Sequence, residues 1–214
     1  PFAAMLLWQA IALAAVLSAL GAGLSLITDG LGAGDVFVDI GANCGLFSVF
    51  AANAVGASGR VLAVEPQPEM ARRLRFNAPA NGFDQITLSE TAIGEDEGEA
   101  SLNVKDGQFG LSSLHSDMAG AGASAVSVPV RPLLAIVQDA GLPRIDALQI
   151  DIEGFEDRAL SPFIASAPRT LFPRRIFMET THAARWGADL LGELRRAGYA
   201  TTWQSDRDVL LALD

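Results

Sequence analysis

The chain has 214 residues, half of them apolar and 19% charged, with 21 glycines spread along it. That is the composition of a packed domain and excludes a long disordered tail. A formal charge of −10 argues against nucleic acid as a partner, because phosphates are neutralised by clustered Lys and Arg; the single cysteine, Cys44, excludes an intramolecular disulfide and fits a cytoplasmic location.

Residues 1–28 contain no charged side chain and are long enough to span a bilayer. Gln9, Ser18 and Ser25 do not share one helical face, and no basic residues flank the stretch. It is expected to form an apolar N-terminal helix, with two readings open: packed on the domain or a neighbouring subunit, or membrane-associated and signal-like. The domain proper is then 29–214. After the turn-rich stretch Asp29 to Gly34, the short apolar run Val36 to Ile40 predicts a strand covered on both faces. A helix over Leu46 to Ala54 and a second buried strand, Arg60 to Val64, complete a βαβ unit. Pro68 opens a helix in which Met70, Leu74 and Ala78 face inward while Arg72, Arg73 and Arg75 face out. A strand at Ile86 to Leu88 leads to Thr91–Gly94.

Alternation at Ala100 to Val104 and Val126 to Val130 predicts antiparallel strands around a small-residue loop; Ser112 and Ser113 fall in this insertion, either closing over a substrate or forming a plain loop. Beyond it the pattern predicts a helix at 133–140, a buried strand at 147–152, a helix at 156–165, a strand at 175–178, a helix at 188–197 and a closing hairpin of 199–203 with 209–213. Such alternation specifies an α/β fold, doubly wound around a mostly parallel sheet, with a small antiparallel insertion.

In such sheets ligands bind beyond the carboxyl ends of the strands, where strand order reverses. Gly41 and Gly45 allow a close turn past a ligand, and Asp39 offers a carboxylate at the strand terminus. The spacing Gly-x-x-x-Gly is not the Gly-x-Gly-x-x-Gly fingerprint that seats a pyrophosphate on a helix N-terminus, which weighs against a nicotinamide enzyme. Glu65 ends the second strand, 24 residues after Gly41, where a carboxylate can take both hydroxyls of an adenosine ribose.

Several stretches, in this order, resemble the FkbM family of methyltransferases: Val36 to Asn43, Val64-Glu65-Pro66-Gln67-Pro68, Asn77 with Asn81, Thr91-Ala92-Ile93-Gly94, Leu111-Ser112-Ser113-Leu114, and Ile145 to Gly154. The resemblance covers residues 31–213. It implies a Rossmann-like fold of the class I methyltransferase type, S-adenosyl-L-methionine as cofactor, and O-methylation of a hydroxyl on a small molecule such as a sugar or secondary metabolite, or on a glycan. It places Asp39, Gly41, Asn43 and Gly45 around the methionine part of the cofactor, Glu65 on its ribose and Ala92 near its adenine, with Ala42 also among the cofactor-binding residues. Asn43 stands where many methyltransferases have a second glycine; its amide either reaches the amino-acid end of the cofactor or makes a local Asx-type turn.

Asp151 and Glu153, two apart at the end of an extended strand, are expected on the same side of the sheet and form the candidate catalytic pair. Methyl transfer needs an in-line acceptor and a base for its proton; the alternative is that Glu153 caps the following helix while Asp151 orients the loop. His182 is a further catalytic candidate, or a surface histidine. No metal site is assigned, although a two-carboxylate site using Glu179 is conceivable. The family pattern usually has a lysine where this chain has Gln149, which removes a cation expected beside Asp151 or Glu153. Two other classes compete: a NAD-dependent oxidoreductase, and a non-catalytic, membrane-associated cofactor-binding protein suggested by the apolar start and Gln149.

Overall fold

The computed structural model describes residues 28, 30–105, 112–113 and 123–214. But for Thr28, the expected N-terminal helix over 1–28 lies outside them. In chain order the first half comprises β1 (Val36–Ile40), α1 (Leu46–Val55), β2 (Arg60–Val64), α2 (Pro68–Ala80), β3 (Ile86–Ser89), β4 (Ala92–Ile93), β5 (Gly98–Lys105), β6 (Ser112–Ser113) and β7 (Ala123–Arg131). The second half comprises α3 (Leu133–Asp139), β8 (Ala147–Ile150), α4 (Glu156–Ser166), β9 (Arg175–Glu179), α5 (Leu190–Arg196), β10 (Tyr199–Gln204) and β11 (Asp208–Leu213).

The main sheet has seven strands in the order β10-β11-β9-β8-β1-β2-β3. The five strands from β9 to β3 run parallel, and β11 and β10 close the edge as an antiparallel pair. Because β1 is central, all five of its residues are buried, and its alternate side chains divide between two cores. Val36, Val38 and Ile40 join a cluster with α3, α4 and α5, including Ile136, Leu160, Phe163 and Leu194. Phe37 points the other way, onto Ala51, Ala52 and Val55 of α1. On that same face α2 packs Leu74 and Ala78 against Ala63. Helices therefore cover both faces, as a doubly wound fold requires.

A second sheet, β4-β7-β5-β6, forms the insertion. Its long strands β5 and β7 are antiparallel, as expected, while β4 runs parallel to β7. Local chemistry sets the ends of the elements. The Gln67 side chain accepts from Met70 N at 2.6 Å and Pro68 stands in the first turn, so α2 starts sharply. In α5 the start moves to Leu190, because Asp189 accepts from Gly192 N at 3.1 Å and serves as the cap. The strand expected over 147–152 stops at Ile150. Beyond it the chain turns through Glu153 (φ 57°) and Gly154 (φ 98°). Among the described residues no helix is long and apolar enough to cross a membrane.

Candidate functional site

Strand order reverses between β1 and β8: the chain winds outward through β2 and β3 on one side and through β8 and β9 on the other. At the carboxyl ends of these strands a cavity opens, lined by Gly41, Ala42, Asn43, Glu65, Ala92, Gln149, Asp151 and Glu153, with Phe47, Met70, Ile93 and Phe155 as apolar walls.

The floor of the cavity is the turn after β1. Backbone N–H groups of Gly41 and Ala42 both donate to Val64 O, at 3.0 and 3.1 Å, so the turn is fastened to the end of β2. Gly41 has φ 79°, and a Cβ there would fall 2.0 Å from Asp151 O; no side chain fits. Asn43 also has positive φ, 51°, which a short polar side chain tolerates. Its Oδ1 accepts from the next residue's N–H, Cys44 N, at 2.7 Å, a local contact within the turn. Cys44 O in turn accepts from Asn77 Nδ2 at 2.8 Å, so α2 buttresses the turn from behind.

Glu65 is 6% exposed. Its Oε2 accepts from Asn43 N at 2.8 Å and its Oε1 from Gln67 N at 2.7 Å. Burial pushes its carboxyl up, and these two N–H groups partly offset the shift. Each oxygen has a second lone pair available for a ligand.

Asp39 does not line the cavity. It follows Phe37 on the α1 face of β1, is fully buried, and its Oδ2 accepts from Ser48 Oγ at 2.5 Å. Its register partner on β8 is Gln149, whose amide nitrogen, turned toward it, donates to Asp39 Oδ1 at 2.7 Å and to Ile40 O at 3.3 Å. Burial without a cation pushes the Asp39 carboxyl up to about 7, with Ser48 opposing and Glu65 adding to the shift. The lysine position of the family pattern thus faces Asp39, and the expected partnership of residue 149 with Asp151 or Glu153 is corrected accordingly. Gly45 likewise lies off the cavity wall; at φ 93° it starts α1 against Leu74, whose Cγ stands 2.9 Å from a built Cβ.

On the opposite wall Asp151 and Glu153 do share the cavity, though not by strand alternation, since β8 ends before both and Glu153 adopts a left-handed backbone. Asp151 is solvent-accessible toward the cavity that it lines and surrounded by protein elsewhere. Burial pushes its carboxyl up, reinforced by the neighbouring Glu179 and Glu153. His182 Nε2 lies 2.9 Å from Glu153 Oε2, so His182 reaches the cavity through Glu153 and does not itself line it. Burial also pushes the Glu153 carboxyl up, Glu179 adding to the shift and His182 opposing it.

Glu153 does not cap α4. Phe155 stands at the cap position with no side-chain bond, and Glu156, 1% exposed, ties down the loop before the helix: its Oε1 accepts from Ile152 N at 3.0 Å and Gly154 N at 3.2 Å, and its Oε2 from Trp186 Nε1 at 2.8 Å. Asp157 Oδ2 accepts from Gly187 N at 2.7 Å and Ala188 N at 3.2 Å. These two carboxylates fix both the loop that carries Asp151 and Glu153 and the segment that follows His182. Two adjacent acids in the first turn of α4 were the available signal, but alone they read as ordinary helix-start residues.

A family model described as the methyltransferase FkbM domain matches residues 39–200. Over 55 residues the chain is 36% identical to protein-L-isoaspartate O-methyltransferase 2 of Archaeoglobus fulgidus, covering 26% of this chain and 25% of that protein. The chain therefore spans about a quarter of the curated relative it matches. Among solved structures, a SAM-dependent O-methyltransferase from Thermotoga maritima aligns with TM-score 0.53 and 17% identity over 89% of this chain and 64% of that one. The O-methyltransferase TomG from Streptomyces achromogenes, involved in tomaymycin synthesis and solved in complex with SAM, aligns with TM-score 0.52 and 12% identity over 89% and 77%. A precorrin-6y C5,15-methyltransferase from Geobacter metallireducens gives 0.52 and 16% over 89% and 88%. At these identities the likeness is one of fold.

Proposed function

The chain belongs to the methyltransferase FkbM domain family, and we propose that it is an S-adenosylmethionine-dependent methyltransferase that methylates a hydroxyl group of a small molecule such as a sugar or secondary metabolite, or of a glycan, in the cavity at the β1–β8 reversal. The observation that carries this reading is the pairing across one cavity of a buried acid, Glu65, with two carboxylates, Asp151 and Glu153. In this reading residues 29–214 form the catalytic domain.

The cavity fits S-adenosylmethionine on its own chemistry. Gly41 lets the turn after β1 pack directly on the Asp151 backbone at the cavity floor, Glu65 stands at a strand end with lone pairs free for two ribose hydroxyls, and Ala92 with Ile93 gives a small apolar wall suited to adenine. Ala42 and the backbone of Asn43 line the path toward the methionine part. Asp39 and Gly45 act one layer back: Asp39 anchors the turn through Ser48 and Gln149, and Gly45 seats it on α2. When bound, the cofactor supplies a sulfonium methyl group as the electrophile.

The residues of the chain do the rest. Asp151 opens onto the cavity next to the Gly41 turn and takes the acceptor hydroxyl's proton at its carboxylate. Glu153 binds a second acceptor group, and His182 is a positioning residue that holds Glu153 through the 2.9 Å contact. The apolar walls exclude water that would compete with the acceptor. Methyl transfer from labelled S-adenosylmethionine, screened against fractionated metabolites and glycans, tests the reading: a hydroxyl-methylated product supports it, and methylation confined to nitrogen or carbon acceptors contradicts it.

A further inference from the structure

Beside the cavity, three side chains from separate segments converge: Glu153 in the loop after β8, Glu179 at the end of β9, and His182 in the turn after it. Each offers one ligand atom, and these atoms all lie within 4.8 Å of one another. The His182 Nε2 to Glu153 Oε2 distance is 2.9 Å. Ligands held about 2.1 Å from one ion lie roughly 3 Å apart at right angles and roughly 4.2 Å apart when opposed. One pair is thus already at coordination spacing, and Glu179 offers a third ligand atom within 4.8 Å of both.

From this arrangement the geometry points to a site for a first-row divalent cation, held by Glu153, Glu179 and His182, at the acceptor side of the cavity. The inference rests on the methyl-transfer reading of that cavity. A donor set of two carboxylates and one imidazole is neither the all-oxygen cage of Mg²⁺ or Ca²⁺ nor the thiolate set of structural Zn²⁺, and it suits Mn²⁺, Fe²⁺ or Zn²⁺. Three protein ligands leave coordination positions open, the hallmark of a site that also takes a substrate oxygen. A second contact supports the ligands: Thr181 Oγ1 donates to Glu179 Oε1 at 2.8 Å. Such outer partners orient metal-binding groups. A cation here would hold the acceptor oxygen on the wall that carries Asp151, selecting acceptors with a second hydroxyl or carbonyl oxygen adjacent to the reacting one, which can chelate.

The test is a titration of the purified chain with Mn²⁺, read by loss of the free-ion electron paramagnetic resonance signal, alongside calorimetry with S-adenosylmethionine. One Mn²⁺ per chain is expected, with affinity reduced at least tenfold in both Glu179→Gln and His182→Ala while S-adenosylmethionine affinity stays within about threefold. The retained cofactor binding shows that both variants are folded. Binding of S-adenosylmethionine with no Mn²⁺ uptake to millimolar concentration, or uptake unchanged in both variants, overturns the cation site and leaves the methyltransferase reading standing. Failure to bind either ligand overturns both.

Discussion

Asp39 and Gln149 are register partners on adjacent parallel strands, and the Gln149 amide donates to the fully buried Asp39 carboxylate at 2.7 Å. A lysine at this position would place a cation there; an amide supplies the hydrogen bond without the charge. The acid beneath the cofactor turn is therefore held by dipoles alone, and its carboxyl rises to about 7.

The first prediction concerns pH. The Asp39 carboxyl has an ordinary value of 3.8 and is raised to about 7 in the fold, so between these values the folded state binds more protons than the unfolded chain. Its contribution to stability is greatest below pH 4, falls as pH rises through 4 to 7, and levels off above, a loss of roughly 4 kcal/mol if fully expressed. Thermal melts of Asp39→Asn should lack this decline. Gln149→Lys should also flatten it and raise the melting temperature at pH 8 relative to the parent chain. A parent slope that survives in both variants would assign the decline to another group.

At Gly41 the expectation is steric. Gly41→Ala places a Cβ 2.0 Å from Asp151 O at φ 79°, combining left-handed strain with a backbone clash. A cost of about 3 kcal/mol or more is expected in denaturant unfolding, together with lost cofactor binding. Unchanged stability would mean that the turn relaxes freely.

Glu156 does not itself line the cavity, yet it accepts three hydrogen bonds, from Ile152, Gly154 and Trp186. Glu156→Ala leaves these donors unpartnered, so a destabilisation of about 2–4 kcal/mol is expected. The turnover rate should fall while S-adenosylmethionine affinity changes little, because the loop that moves carries Asp151 and not Glu65. Calorimetry and initial rates on the same variant separate the two.

Asp151→Asn removes the proton acceptor and keeps the shape. A fall of about 10²- to 10⁴-fold in kcat, with cofactor affinity within about threefold, is expected. A kcat reduced less than tenfold would move the base to another group.

Much of the fold was legible because its strands are short apolar runs punctuated by glycine and proline, and the strand–helix alternation leaves few topologies. Glu65 was legible for a similar reason: an acid before Pro66, at the end of the strand after a glycine turn, has one place to go. Asp39 was misread as a cavity group although strand alternation already puts it on the face of Phe37, toward α1; the polar strand end masked that periodicity. Asp151 and Glu153 do share the cavity, but by way of a left-handed turn that no period-two pattern encodes. The convergence of Glu179 and His182 on Glu153 joins segments more than twenty residues apart, so local spacing carried no signal of it. The roles of Glu156 and Asp157 depend on N–H groups that only the fold brings to them.

The central claim, that the cavity at the β1–β8 reversal binds S-adenosylmethionine through Glu65, is tested most directly by isothermal calorimetry on the parent chain and on Glu65→Gln. Micromolar binding of S-adenosylmethionine or its demethylated product is expected, weakened about 10- to 100-fold in Glu65→Gln through the lost charged hydrogen bonds to the ribose. No heat with either ligand, or equal affinity in the two proteins, would contradict it.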